Sequence, residues 1–569
     1  MEYKQAVQSS VWSPLLVPVF RALWLAWVVA NLGVWMQNVS GVWLMTTLAS
    51  SPVLIALMQT AISFPIFLLG LPSGTLADIV NRRTLLIVGL SIMLLAASIL
   101  GTLTLLGGAT PWLLLLLTFV LNLGIALNLP IWLAVLPRLV PPKELANAIS
   151  LGGVGINLAQ AVGPVLGGVI VAVIGPGAVF LFNAVLFLLT WYILIRWQNP
   201  QQRSALPGER FIGAMSAALR YLGHAPPLQR VLLRSTVFMS CASALLALLP
   251  LVAKHDLNMG GLGYGILQGC LGLGAVIGAM AMPRLQYRFS IDVLIVSATV
   301  VYAIMVVAVA TLHLVLLLFV LVLIAGMAWI TCLSSTNIAT QQAVPRWVQA
   351  RALGLYLLFL QGGTALGSVM WGWVAARFGI SFALLCSALG LVIGLLTALR
   401  WRLHVSQRPD TTQRWAPWVE PHRLMEGRSL DGLVLVMVEY QIDPQQALSF
   451  LKAMQDLHRI RLRDGSIRVG IYVDPLDARR YVETFVTGSW NEHLRQHERM
   501  MIADHMIEER VRAFHVGAGP PRGTHLIYAT ESWVKEAEQF KEGHWVGGIS
   551  GINGVAEEGH EHLSHDIQS

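Results

Sequence analysis

Twelve stretches of mostly apolar residues dominate the chain, at about 19–47, 53–77, 84–106, 111–137, 147–173, 178–197, 230–253, 261–283, 291–311, 314–336, 352–376 and 380–401. A helix needs about 20 apolar residues to cross a hydrocarbon layer roughly 30 Å thick. Lipid offers backbone N–H and C=O groups no partner, so each stretch is expected to be helical. Gly, Pro and charge punctuate them, as at Ala49-Ser50-Ser51-Pro52 and Gly107-Gly108-Ala109-Thr110-Pro111. Beyond 430 the pattern changes to short alternating runs. Strands are expected at Leu433 to Ile442, Ser466 to Val473, Tyr481 to Thr487 and Thr524 to Tyr528. A helix opens at Asp443-Pro444, and a long one is expected from Trp490 to His515. The order βαββαβ fits a ferredoxin-like domain.

An internal repeat divides the apolar region in two. A shift of 204 residues brings Val140-Pro141 onto Val344-Pro345, Ala148 onto Ala352, Gly163 onto Gly367, Gly168 onto Gly372, Gly175 onto Gly379 and Ala184 onto Ala388. Paired six-helix halves with a site between them near mid-bilayer are a known transporter design. The expected fold class is an all-α membrane protein of twelve helices (6+6) with a C-terminal ferredoxin-like α+β domain. The expected division is 1–198 and 229–402 for the two six-helix bundles, 199–228 for an amphipathic linker at the cytoplasmic face, 403–430 for a basic linker, 431–530 for the soluble domain and 531–569 for a flexible tail.

Charge sharpens this division. Of 38 Lys+Arg, 20 lie in residues 1–402 with only 6 Asp+Glu, whereas residues 403–569 hold 18 Lys+Arg against 24 Asp+Glu and 12 of the 15 His. The overall +8 is therefore not a nucleic-acid signal. In the first part the basic residues collect in alternate loops, among them Arg82 and Arg83, Arg138 and Lys143, Arg284 and Arg288, and Arg346 and Arg351. The opposite loops carry only Lys254 and Arg377. Positive loops mark the cytoplasmic side, which places both termini there. Cys241, Cys270, Cys332 and Cys386 all fall in apolar stretches, without metal-ligand spacing. No metal and no cofactor is expected.

Three patterns carry candidate chemistry. After the second stretch comes Gly74-Thr-Leu76-Ala77-Asp78-Ile-Val-Asn81-Arg82-Arg83. It resembles the signature loop of the major facilitator superfamily, although Ile79 and Asn81 stand where that family usually has a basic residue and a glycine. The resemblance implies that Gly74, Asp78, Arg82 and Arg83 gate the cytoplasmic end; the plainer reading is a helix cap followed by topogenic arginines. In the fifth stretch Gly155, Ala159, Gly163 and Gly167 recur every four residues along one face, with Pro164 and Gly168 beside them. Gly163-Pro164-x-x-Gly167-Gly168 resembles the antiporter motif of the same superfamily, which implies export; generic tight packing is the alternative. In the first stretch Trp24, Trp27, Asn31, Trp35 and Asn38 form a stripe at steps of three and four. With Asn122, Asn157 and Gln361 these are candidates to line a neutral cavity suited to an amphipathic small molecule. No Asp or Glu sits mid-span, so the usual proton relay is missing.

Residues 19–402 as a whole resemble the superfamily branch that holds enterobactin exporters and macrolide-efflux proteins, the transmembrane secretion effectors. Ser489-Trp490-Asn-Glu492-His493-Leu-Arg495-Gln-His497 resembles a helix of antibiotic-biosynthesis-monooxygenase-like dimeric α+β barrels. That resemblance implies pairing with a second copy, and cofactor-free oxygenase chemistry by analogy alone. His493 and His497 stand four apart, yet with Glu492, Arg495 and Glu498 between and beside them they read as a solvated polar face. The expected activity is secondary export of a small amphipathic compound across a bacterial inner membrane. The other readings are a bifunctional transporter with an oxygenase tail and a non-transporting scaffold.

Overall fold

The computed structural model describes residues 12–79, 81–135, 139–197, 221–223, 225–312, 314–345, 348–400, 432–499 and 502–528. The chain forms two compact units, Met1–Pro409 and Asp410–Ser569. Among the described residues of the first, twelve long helices follow one another: α1 Pro18–Leu48, α2 Pro52–Ile79, α3 Arg82–Leu105, α4 Pro111–Val135, α5 Leu145–Val173, α6 Pro176–Arg196, α7 Pro226–Leu251, α8 Gly261–Arg288, α9 Ile291–Thr311, α10 Val315–Gln342, α11 Gln349–Phe378 and α12 Ile380–Arg400. Eleven are long and apolar enough to cross a membrane, against the twelve expected. The twelfth, α12, runs for 21 residues, and its side chains are described as far as Leu396, an apolar stretch Ile380–Leu396. The amphipathic linker expected at 199–228 lies mostly outside the described residues, and α7 begins four residues before the apolar run, at Pro226, where a proline suits the first helical turn.

The helices pair as two bundles joined by two seams. Within the first bundle α1 packs on α5 and α6, α3 on α4 and α6, and α2 on α4; within the second α7 packs on α11 and α12, α10 on α8 and α9, and α9 on α12. Across the middle, α5 packs on α8 and α2 on α11. The 204-residue repeat explains both seams. A methyl group on Gly163 would meet Trp35 and Met36 of α1, and one on Gly367 would meet Ser240 and Ser243 of α7. Gly168 abuts Gly261 and Gly265 of α8, while its repeat partner Gly372 abuts Pro52, Val53 and Ala56 of α2. Gly175 and Gly379, also repeat partners, both hold positive φ (111° and 95°) before α6 and α12, a conformation that favours glycine.

In the second unit β1 Val434–Gln441, β2 Ser466–Asp474, β3 Asp477–Thr487 and β4 Arg522–Ile527 form one antiparallel sheet in the order β2-β3-β1-β4. The Asp443 carboxylate accepts from the Gln445 N–H, starting the turn that leads into α13, Ala447–Asp464. The long helix expected from Trp490 is described as α14 Trp490–Arg499 and α15 Ile502–Arg512, on either side of residues 500–501, which lie outside the described residues. Alternation sends Val434, Val436, Tyr440 and Phe485 inward to Phe450, Met454, Leu457 and Trp490.

Candidate functional site

The two motifs of the first bundle are halves of one contact. Along α1, Trp24 donates from Nε1 to the Leu151 carbonyl of α5 at 3.0 Å. Trp27 is 3% exposed and lies against Gly155, and the Trp35 Cβ lies against Gly163. A methyl on Gly155 would stand 2.7 Å from Val28 Cγ2, and one on Gly167 would stand 2.8 Å from the Met36 carbonyl oxygen. Ala159 is fully buried on the same face. Glycines at these steps therefore let a tryptophan-bearing helix approach closely. Trp24 and Trp27 belong to this packed seam. Gly168 turns the other way, toward α8, so the Gly163-Pro164-x-x-Gly167-Gly168 run joins α1, α5 and α8.

The amides divide similarly. Asn31 donates to the Trp27 carbonyl at 2.8 Å, and Asn122, 1% exposed, to the Thr118 carbonyl at 2.8 Å; both satisfy their own helix. Asn38, Asn157 and Gln361 are half-buried and make no side-chain hydrogen bond among the described residues. Asn183 and Gln37, both buried, bond to each other between α6 and α1.

At the α2–α3 turn Asn81 is the N-cap of α3, its side chain accepting from the Arg83 N–H at 3.0 Å. This is what the amide does where the family pattern has glycine. Arg83 reaches across to the C-terminal end of α6, donating to the Leu194 carbonyl at 3.2 Å and to the Ile195 carbonyl. A guanidinium there satisfies orphan carbonyls at the negative end of the helix. Gly74 and Asp78 lie on α2, their side chains outside the described residues.

Two features were missed from sequence. Arg234, 6% exposed, pairs with Asp292 at the start of α9. It stands about 12 Å into α7 at 1.5 Å per residue, and a lone arginine inside an apolar run was the available signal. At the opposite end, Lys254 donates to the Thr46 carbonyl of α1, and Trp43 stacks on Tyr264 of α8 with ring centres 6.1 Å apart.

Among the described residues most seam contacts lie toward one end, although Gly362 of α11 abuts Phe67 of α2 just past mid-helix. Gly168 with Gly265, Gly372 with Ala56, Thr60 with the Ala365 carbonyl (3.0 Å) and Lys254 with Thr46 all lie in the halves of the helices remote from Arg82 and Arg83. Toward the arginine end, Gly70, Gly152 and Gly153 face open space. An open apolar groove of about 370 Å³ lies elsewhere, on the outer surface between α9 and α12; Val300, Ile304, Leu385 and Leu389, all exposed, are among its walls.

In the second unit the expectation of a solvated His493 is overturned. His493 is 2% exposed, because the β3–α14 connection turns that helix face onto the sheet. Its ring lies 4.8 Å from His525 and 5.4 Å from Trp490. His497 lies outside the described side chains. Beside this group is a buried ionic network. Arg461 stands 3.5 Å from Glu483 and 3.3 Å from Glu508, and Tyr440 donates to Glu483 at 3.2 Å. Burial and the nearby carboxylate push the Tyr440 phenol up, while burial pushes His458 and His525 down. Among the described residues no group of His, Cys, Asp or Glu has the makings of a metal site.

Comparison with known proteins assigns this architecture. The family described as transmembrane secretion effector matches residues 9–533, which takes in all twelve helices and the whole sheet. The chain belongs to the transmembrane secretion effector family. It is therefore a membrane transporter of the major facilitator type, of a family that binds small-molecule substrates in a lipid bilayer. Similar proteins include the uncharacterized MFS-type transporter YfiS of Bacillus subtilis, 24% identical over 403 residues (67% of this chain, 92% of that one). The staphyloferrin A transporter of Staphylococcus aureus is 23% identical, and the enterobactin exporter EntS of Salmonella typhimurium 28% identical. These two matches cover 44% and 47% of this chain, and about two thirds (64%) of each relative. Among solved structures, a bacterial homolog of the lysosomal transporter Spinster in an inward-facing state superposes with a TM-score of 0.56 at 16% identity, covering 70% of this chain and 99% of that one. A bacterial homologue of ferroportin, also inward-facing, gives 0.54 at 14% identity over 68% of this chain and 99% of that one. Those two likenesses speak to the fold.

Proposed function

We propose that the chain exports a small amphipathic molecule, of siderophore or macrolide type, across a bacterial inner membrane by alternating access, with both termini in the cytoplasm. One observation carries the reading: two repeat-related seams, α5–α8 and α2–α11, join the bundles mostly in the halves remote from the arginines, while among the described residues Gly70, Gly152 and Gly153 toward the arginine end have nothing packed on them. A pair of bundles so joined can rock, closing one mouth as the other opens. The relatives named for enterobactin export and staphyloferrin transport support the substrate class. Asn38, Asn157 and Gln361 are the polar groups left to meet an uncharged or zwitterionic compound, with Trp35 at the edge. Gly74, Asp78 and Arg82 act at the cytoplasmic mouth, and Arg83 positions α6. Efflux of candidate siderophores and macrolides from a deletion strain, with and without an uncoupler, tests the proposal. Asp78→Asn is expected to insert normally and to lower transport in vesicles; an unchanged rate removes Asp78 from the mechanism.

The finer reading of the second unit is a ferredoxin-like domain that pairs with a second copy. Its strand order supports this. So does the sheet face away from the helices, where Leu435, Met437, Val482, Val486 and Leu526 fall by register. Crosslinking at Leu526→Cys, with monomer as the refuting result, tests it.

A further inference from the structure

The end of α7 is built irregularly. Pro250 lacks the N–H that would bond the Leu246 carbonyl. The chain then widens into a π-turn, Val252–Asp256, and Asn258 takes a positive φ of 49°. π-turns inside helices are frequent at functional sites. This one sends Lys254 sideways, half-buried, to the Thr46 carbonyl of α1. Thr46 lies in the last turn of α1, where carbonyls have no helical partner and the dipole end is negative, so an ammonium is well placed there. The Thr46 and Thr47 hydroxyls are already turned back onto the Trp43 and Leu44 carbonyls, at 2.7 Å each. Trp43, one turn earlier, stacks on Tyr264 of α8. The end of α1 is thus gripped by both helices that flank the α7–α8 turn, across the boundary between the bundles.

We infer that Lys254 is the latch of the mouth remote from the arginine loops: its bond to Thr46 holds that mouth shut and breaks when the bundles rock. The repeat supports a gate over a general staple. A shift of 204 residues puts Ser50 where Lys254 stands, so the cation has no counterpart in the other half, whereas the glycine contacts occur in both halves. The inference rests on the alternating-access reading proposed above.

The test uses the full chain in proteoliposomes. Cys241, Cys270, Cys332 and Cys386 are replaced by Ser, and Ala161→Cys, in the α5–α8 seam, reports opening through its rate of maleimide labelling. Measurable labelling in this parent tests rocking itself; a parent that never labels, with or without a candidate substrate, refutes alternating access. The ratio between variants tests the latch alone. A charge-assisted hydrogen bond lost from the closed state is expected to raise labelling about tenfold or more in Lys254→Met. Lys254→Arg, which keeps the charge, is expected to label within about twofold of the parent. A Lys254→Met rate equal to the parent's overturns the latch. Should Lys254→Met fail to reconstitute, Lys254→Gln is read by the same criterion.

Discussion

The two units bury opposite things. In the membrane unit the tightest contacts include glycine against backbone: Gly168 on Gly265, Gly367 on Ser240, Gly167 on Met36. The sheet unit keeps its charges inside. Arg461, Glu483, Glu508, Asp464 and Asp504 are all under 9% exposed, with Arg463 bridging the last two. The difference follows from the solvent. Lipid is as apolar as leucine, so helices gain little by hiding leucine from it and associate through close approach and a few hydrogen bonds. In water, burying apolar area drives folding, and a buried ion pair tolerates no loss of a partner. Shape therefore governs the first unit and charge balance the second.

Substitutions that offend each rule should break one unit and spare the other. Arg461→Ala leaves Glu483 and Glu508 buried without their cation and is expected to cost about 3–5 kcal/mol. Limited proteolysis of the full chain should then release the sheet unit while the helical unit stays intact; equal protection of both would contradict the contrast. Gly168→Leu drives a side chain into backbone atoms 2.9 Å and 3.0 Å from where its first carbon would sit. Overpacking of that kind costs about 1–3 kcal/mol, and transport should fall steeply with no change in the proteolysis of the sheet unit.

Acid gives a third separation. Burial depresses His458 and His525, with Glu483 pulling His458 back up and Arg461 pushing it further down. A histidine whose folded pKa is depressed binds fewer protons folded than unfolded. Its full contribution is present above about pH 6.5 and is lost as pH falls from there through the folded value. The sheet unit should lose thermal stability as pH falls below about 6.5 while the helical unit holds. The smallest effect is expected from Asn183→Ala, which removes a hydrogen bond between α6 and α1 worth about 0.6–2 kcal/mol; detergent-melting curves would read it.

Much of this was legible from one sequence, and the exceptions have physical causes. Length and hydropathy located the helices to within a few residues, because lipid leaves the backbone no alternative. The repeat announced the two seams, because a glycine required by close approach is required twice in a two-fold design. Side-chain destinations were less legible. The α1 stripe shows that a tryptophan at helical spacing is as ready to fill a glycine face as a cavity, and only the angular position of α5 decides: Trp24 and Trp27 went to packing. Lys254 reads as a loop charge and Arg234 carries no assignment, since sequence does not reveal an arginine finding Asp292 on α9 or a lysine finding a carbonyl on α1. His493 misled because its neighbours Glu492 and Arg495 are polar, while the face it shares with Trp490 and Gln496 is turned inward by the sheet.

Spin labels at the two ends of one seam test the central claim most directly. One pair is Ile174→Cys on the α5 C-cap with Leu262→Cys at the start of α8; the other is Ile149→Cys near the start of α5 with Tyr287→Cys near the end of α8. All four positions are exposed. As candidate substrate is titrated, the first distance should lengthen while the second shortens. Two distances that stay fixed, or that change together, contradict a rocking pair of bundles.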